Sequence, residues 1–251
     1  MARTEMKNKV EIIAETDHWI ALNKPSGLLS IPDRMQSEPS FKDWLNEKYG
    51  KVWIVHRLDK FTSGLIVFAK DEETHKLLSK QFEDRTVEKF YLGLVNGILM
   101  NKEGSVDAPI MEHSVKKGTY VINTKGKASL TDYKVLEEHG QYSWLQFQIH
   151  TGRTHQIRVH MQHIGHPLFN DDTYGGDRIV KGTVYTKYKQ FVDNCFTICP
   201  RHALHAQTLG FTHPKTQERM LFESELAKDM QQVIEKWRVY TKAKNLTGDD
   251  A

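Results

Sequence analysis

Between Trp53 and Lys70 the chain reads WIVHRLDKFTSGLIVFAK: an apolar strand, a turn holding His56, Arg57, Asp59 and Lys60, then a second apolar strand. GLIVFAK is a continuous run of strand length rich in β-formers, which predicts a strand covered on both faces. An acid between two such strands is poorly solvated and needs a cation or hydrogen bonds to stay ionised. Local chemistry also fits a plainer role, a turn aspartate capping the backbone of Thr62 or Ser63.

Around this segment the pattern alternates short strands with a few helices. HWIALNKPSG reads as a strand entering a turn set by Pro25 and Gly27, and FKDWLNEKYG as a short helix closed by Gly50. Asp71 is placed to cap a helix with Glu72 and Glu73 in its first turn and Leu77, Leu78 and Phe82 as its buried stripe. FYLGLVNG, ASLTDYKVLEE and YSWLQFQIH follow as strands, and in the last of these Leu145, Phe147 and Ile149 alternate with Gln146 and Gln148. A TGR turn then opens a helix with Ile157, Met161 and Ile164 on one face and His155, Arg158 and Gln162 on another. Leu226, Met230, Val233 and Trp237 mark a last amphipathic helix, with Ser224 as its cap. The predicted fold is therefore α+β, with a mixed, mostly antiparallel central sheet flanked by helices. Neither GxGxxG nor GxxxxGK[ST] occurs, which argues against a doubly wound nucleotide-binding fold. Without repeats or linkers, one domain is expected over residues 11–240, after an extended or disordered stretch at 1–10 and before a loose tail at 241–251.

The composition, 39% hydrophobic and 27% charged, is that of a soluble globular chain. No apolar run approaches the roughly 18 residues needed to span a bilayer, and MARTEMKNKV lacks a secretory core, so a cytoplasmic protein is expected. Cys195 and Cys199 have no second pair to complete a four-thiolate zinc site and read as free thiols. A formal charge of +3 says little, but its distribution says more. His113 to Thr131 carries Lys116, Lys117, Lys125 and Lys127 with no acid, and His139 to Asn170 is again without acid while holding Arg153 and Arg158.

Arg153 sits at a strand-to-helix junction, where it is placed to meet a carboxylate from another loop in a bidentate pair. The histidines around it lack HExxH, and His155 and His160 are five apart, so no metal site is expected. In EKFYLGLVNG, Tyr91 would point away from Phe90 and Leu92, a placement that by itself fits a packing residue.

Taken together and in order, HRLDKFTSGL, NKPSGLLSIP, EKFY, GRTHQIRVHMQHIGHPL and RHALHAQTLGFTHP closely resemble the motifs of the RluA-type family of RNA pseudouridine synthases. The resemblance covers residues 11–225 and implies the pseudouridine synthase fold, with the catalytic cleft on one face of the sheet. It implies that Asp59 is the catalytic aspartate, that Tyr91 stacks on the target uracil and serves proton transfer at C5, and that Arg153 pairs with Asp59. Arg57 is expected along the RNA, helping to fill the space left by the flipped base, with His155, Gln156 and Arg158 as phosphate contacts. Two departures concern RNA-facing edges. Asn170, Asp171 and Asp172 precede Thr173 and the YGG, where the family usually has Gly-Asp, and Lys116 and Lys117 stand where arginines are common. Given the short stretch ahead of the first strand, the small amino-terminal RNA-binding domain of larger members is expected to be missing.

The implied reaction breaks the N1–C1′ bond of a uridine in ribosomal or transfer RNA, turns the uracil and rejoins it through C5. Extruding the nucleotide costs a few kcal/mol. An ionised Asp59 serves three routes: attack on C1′, removal of the C2′ proton to give a glycal, or attack on the base. As an internal transfer, the reaction implies no metal or redox cofactor. RNA is the expected partner of a monomer, with no membrane and no obligatory protein partner.

Overall fold

The computed structural model describes residues 10–33, 35–179 and 185–247. Its strands are β1 (Glu11–Glu15), β2 (Trp19–Lys24), β3 (Trp53–Ile54), β4 (Ser63–Ala69), β5 (Glu88–Asn96), β6 (Glu103–Asp107), β7 (Ile110–Glu112), β8 (Tyr120–Ile122), β9 (Leu130–His139), β10 (Tyr142–Ile149), β11 (Leu204–Thr212) and β12 (Arg219–Glu223). Its helices are α1 (Phe41–Tyr49), α2 (Glu72–Glu83), α3 (Gln156–His163), α4 (Thr186–Ile198) and α5 (Lys228–Thr247). The class is α+β with mixed, mostly antiparallel strand pairing, as the pattern predicts.

Where one domain is expected, the chain divides into two compact units, each built from two segments: Met1–Tyr91 with His205–Glu225, and Leu92–Leu204 with Leu226–Ala251. In the first unit the hydrogen-bonded order is β1-β2-β4-β11, with β12 beside β11 and β3 beside β4. All seven residues of β4 are buried, which accounts for its unbroken apolar run. It pairs antiparallel with β2, Ala21 opposite Val67, and parallel with β11, His205 opposite Ser63. Trp19, Leu65, Val67, Leu78, Leu209 and Phe211 form the core, with Phe211 and Phe222 meeting the Trp19 ring edge-on at 5.4 and 5.5 Å. Asp71 caps α2 by accepting from Thr74 N at 2.8 Å. Leu77, expected on the buried stripe, is 39% exposed, because a residue next to Leu78 points about 100° away and the stripe runs Thr74, Leu78, Phe82 instead.

In the second unit the order is β5-β10-β9-β6, with β7-β8 a separate hairpin. The core joins Leu94, Tyr142, Trp144 and Phe169 to Val192 and Cys195 of α4 and to Met230, Val233 and Trp237 of α5. Burying each of these large side chains contributes about 1.5–3 kcal/mol. A smaller cluster of Ile110, Val159 and Tyr174 seats the hairpin on α3. Both cysteines are free and buried, and burial pushes the Cys195 thiol up to about 11 and the Cys199 thiol up to about 12.

Two expectations about the chain's end change. Ser224 does not cap α5, which begins at Lys228; its hydroxyl is held within the first unit. The tail expected to be loose from residue 241 is helical as far as Thr247, while residues 1–9 and 248–251 of the two expected termini lie outside the described residues. Among the described residues no helix is long and apolar enough to cross a membrane.

Candidate active site

Asp59 lies in the turn that leads into β4, and the turn is gripped by its own peptide groups. Ser30 Oγ donates to Leu58 O at 2.8 Å and accepts from Leu58 N at 3.1 Å. Lys24 Nζ and Gly27 N both donate to Lys60 O, at 3.0 and 2.9 Å, and Ser26 Oγ donates to Phe61 O at 2.9 Å. Within the turn Thr62 N donates to Asp59 O at 3.1 Å. Lys24 is fully buried, and its ammonium also donates to Pro25 O at 3.0 Å and Leu28 O at 2.8 Å. Carbonyl dipoles thus receive a charge that would be costly to bury alone. The peptides on either side of Asp59 are fixed, and Asp59 itself is half-buried. Lys24, Ser26 and Ser30 escape sequence reasoning as site residues; a lysine two residues past the apolar run WIAL is the signal that points to the first of them.

Where the turn becomes strand, Gly64 has φ +113°, a backbone region that side chains disfavour, and a Cβ there would lie 2.2 Å from Ala206 O. The glycine of TSGL is therefore required by the close approach of β4 to β11. Its neighbour Ser63 is bonded to His205, Oγ to Nδ1 at 2.9 Å.

Tyr91 ends this unit's share of β5 and is only 7% exposed. Burial, and after it the negative charge of Asp59, push its phenol well above the ordinary tyrosine range. The side chain is thereby held as the neutral phenol. Two further motif residues are structural. The half-buried His56 stacks on Phe82 with ring centroids 4.7 Å apart, and its Nε2 accepts from Val67 N at 3.1 Å. Desolvation first, and the charge of Lys89 second, push His56 down to about 3, so it is neutral and fit to accept. Lys89 itself is brought down to about 8, chiefly by burial and then by Arg85. Arg57, by contrast, is exposed.

The residues predicted around GRTHQIRVH belong to the second unit. Arg153 is half-buried, and its Nε donates to Ala128 O at 3.2 Å. Gln156, expected on a phosphate, is 4% exposed with its amide spent on the fold: Oε1 accepts from Thr151 Oγ1 at 2.6 Å and Arg153 N at 3.0 Å, while Nε2 donates to Leu130 O and Thr131 Oγ1, both at 2.9 Å. Its role is to shape the loop that carries Arg153. Arg158, also expected on RNA, is 5% exposed and paired in bidentate fashion with the fully buried Asp171, Nε to Oδ2 at 2.7 Å and Nη2 to Oδ1 at 2.9 Å. The Tyr174 ring lies 4.9 Å from its guanidinium carbon. The expectation of phosphate contact fails at these two residues because their polar groups are consumed inside the unit, with Asp171 as the partner of Arg158. His155 is half-buried with φ 56°, its Nδ1 2.8 Å from Tyr174 Oη. Lys116 and Lys117 are exposed in the loop between β7 and β8. Among the described residues no group of three or more His, Cys, Asp or Glu side chains is placed to hold a metal ion.

Comparisons with known proteins extend this geometry. The sequence pattern of the RNA pseudouridylate synthase family matches residues 18–163, a stretch holding Asp59, Tyr91 and Arg153. The ribosomal large subunit pseudouridine synthase D of Pseudomonas aeruginosa is 36% identical over 231 residues, 88% of this chain and 69% of that protein. An uncharacterized RNA pseudouridine synthase of Aquifex aeolicus is 40% identical over 227 residues, 86% of this chain and 69% of its own length. Among solved structures, human RNA pseudouridylate synthase domain containing 4 superposes with a TM-score of 0.75 over 94% of this chain and 95% of that one, at 23% identity, a likeness of fold. The chain belongs to the RNA pseudouridylate synthase family, the RluA-type isomerases that turn uridine in RNA into pseudouridine.

Proposed function

We propose that this enzyme acts on selected uridines of structured RNA, with Asp59 as the catalytic carboxylate, Tyr91 against the flipped uracil and Arg153 as the cation that pairs with Asp59. Ribosomal RNA is the proposed substrate, on the strength of relatives named for the large ribosomal subunit, and transfer RNA is the second RNA to test. The enzyme works as a monomer in the cytoplasm, without cofactor or obligatory partner protein.

What carries this reading is the family pattern over residues 18–163, which spans Asp59, Tyr91 and Arg153, together with the burial of Tyr91. Asp59 drives departure of uracil from C1′, the base turns, and C5 takes the place of N1. The proton on C5 then leaves and N1 gains one, so the sum is an isomerisation. Because Tyr91 is held as the phenol, its oxygen takes the C5 proton only by passing its own to water in the same step, while N1 takes one up from water. Arg57 and the lysines at 116 and 117 contact the RNA backbone, and His155 stands beside Arg153 for the same purpose.

The test is to incubate unmodified transcripts of ribosomal and transfer RNA with the purified protein and map pseudouridine at single-nucleotide resolution. Discrete sites in ribosomal RNA are expected. Product in transfer RNA alone would replace the substrate, and product in neither would overturn the reading.

A further inference from the structure

RHALHAQTLGFTHP has no part in the chemistry described so far, yet β11 runs through it and its second histidine lies beside the start of β4. His205 is fully buried, and the hydroxyls on either side of it belong to Ser63, 2% exposed, and Ser224, 6% exposed. Nδ1 is 2.9 Å from Ser63 Oγ and Nε2 is 2.9 Å from Ser224 Oγ. Ser224 Oγ in turn donates to Ala206 O at 3.3 Å.

The imidazole thus bridges two buried hydroxyls, one at each ring nitrogen, and in either neutral tautomer one nitrogen donates and the other accepts. Apolar contacts between β4 and β11 tolerate sliding. Directed hydrogen bonds do not, and a buried polar chain that is fully satisfied selects one arrangement. Gly64 lets the strands approach, while the imidazole sets where along β11 the first residue of β4 must sit.

We infer that His205 is a positioning residue for Asp59, acting through Ser63. By fixing Ser63 it fixes the end of the turn, where the neighbouring Thr62 N–H holds Asp59 O, and so complements the grip of Lys24, Ser26 and Ser30 from the other side. The inference rests on the reading of Asp59 as the catalytic carboxylate.

Single-turnover conversion of a ribosomal RNA transcript at saturating enzyme tests it, with Ser63→Ala, His205→Gln and Asp59→Asn compared with the wild type. A misplaced catalytic group costs rate rather than binding, so Ser63→Ala and His205→Gln are expected to lower the rate per folded molecule about tenfold to a hundredfold, with RNA affinity unchanged. Wild-type rates per folded molecule, or a loss confined to affinity, would overturn the inference. If Asp59→Asn is inactive while the other two keep full rate, only the positioning role fails; if Asp59→Asn is active, the catalytic reading fails first. Should His205→Gln not fold, Ser63→Ala removes a single oxygen and carries the test. Nitrogen NMR of the wild-type ring adds a readout free of substitution: a ring locked in one state is expected, and a mixture of exchanging tautomers would overturn it.

Discussion

In HRLDKFTSGL the turn is held from outside, by Lys24, Ser26 and Ser30 on its peptide groups and by His205 on Ser63, and Asp59 is half-buried. In GRTHQIRVH the motif's own side chains do the holding. Gln156 makes four hydrogen bonds inside its unit, and Arg158 is locked to Asp171. Membership of a family motif therefore does not separate residues that meet the substrate from residues that shape the backbone. The hydrogen bonds that Gln156 and Arg158 make inside their unit mark both as shapers of the backbone.

The comparison breaks first at Tyr91. Tyr91→Phe keeps the stacking ring and removes the hydroxyl, so RNA binding should persist while pseudouridine formation falls about a hundredfold or more, the range of a lost proton-transfer group. Release of tritium from C5-labelled RNA should fall in parallel. Near-normal turnover with a lowered thermal midpoint would make Tyr91 a packing residue.

Arg158→Ala should act on stability instead. Leaving Asp171 buried without its cation costs about 3–5 kcal/mol, read as a lower midpoint in denaturant. The dependence of RNA affinity on salt should stay unchanged at temperatures where the variant is folded. A flatter salt slope in a variant of normal stability would return Arg158 to the RNA face.

His56 supplies a pH test of the same contrast. Its native affinity for protons is lowered from 6.5 to about 3, so the unfolded chain binds the extra proton between those values and stability falls as pH drops through that window. The loss from this group is at most about 1.4 kcal/mol per pH unit. His56→Gln should flatten that part of the curve, and an unaltered curve would show that His56 is not held neutral.

The smallest effect belongs to the hairpin. Replacing Lys116 and Lys117 with Ala should flatten the slope of log affinity against log salt by about 0.7–0.9 for each phosphate that these lysines neutralise, with the saturated rate unchanged. An identical slope would remove the hairpin from the interface.

Much of this molecule is legible in its sequence. The strand β4 and the caps of α1 and α2 follow from local rules, because the apolar run GLIVFA, Ser40 with Asp43, and Asp71 each leave one cheap conformation. Helix α4 is less plain, although Tyr188, Val192, Cys195 and Cys199 recur at helical spacing; read as thiols, the two cysteines hide the stripe they complete. The fate of Gln156 and Arg158 is not local at all. It depends on Asp171 and on Leu130 and Thr131, up to 26 residues away, and no periodicity brings these together. The same holds for His205, whose partner Ser63 arrives through the parallel pairing of β4 and β11 and whose partner Ser224 follows β12, paired antiparallel to β11.

The central claim is that Asp59 is the carboxylate that does the chemistry, and Asp59→Asn tests it most directly because it removes the charge at constant volume. The measurement is single-turnover pseudouridine formation on the ribosomal RNA transcript at saturating enzyme, with RNA affinity and thermal midpoint taken on the same preparation. Affinity and midpoint near wild type with no detectable product is the predicted result. Turnover within about tenfold of wild type, far less than the loss of a reacting group exacts, would contradict the account.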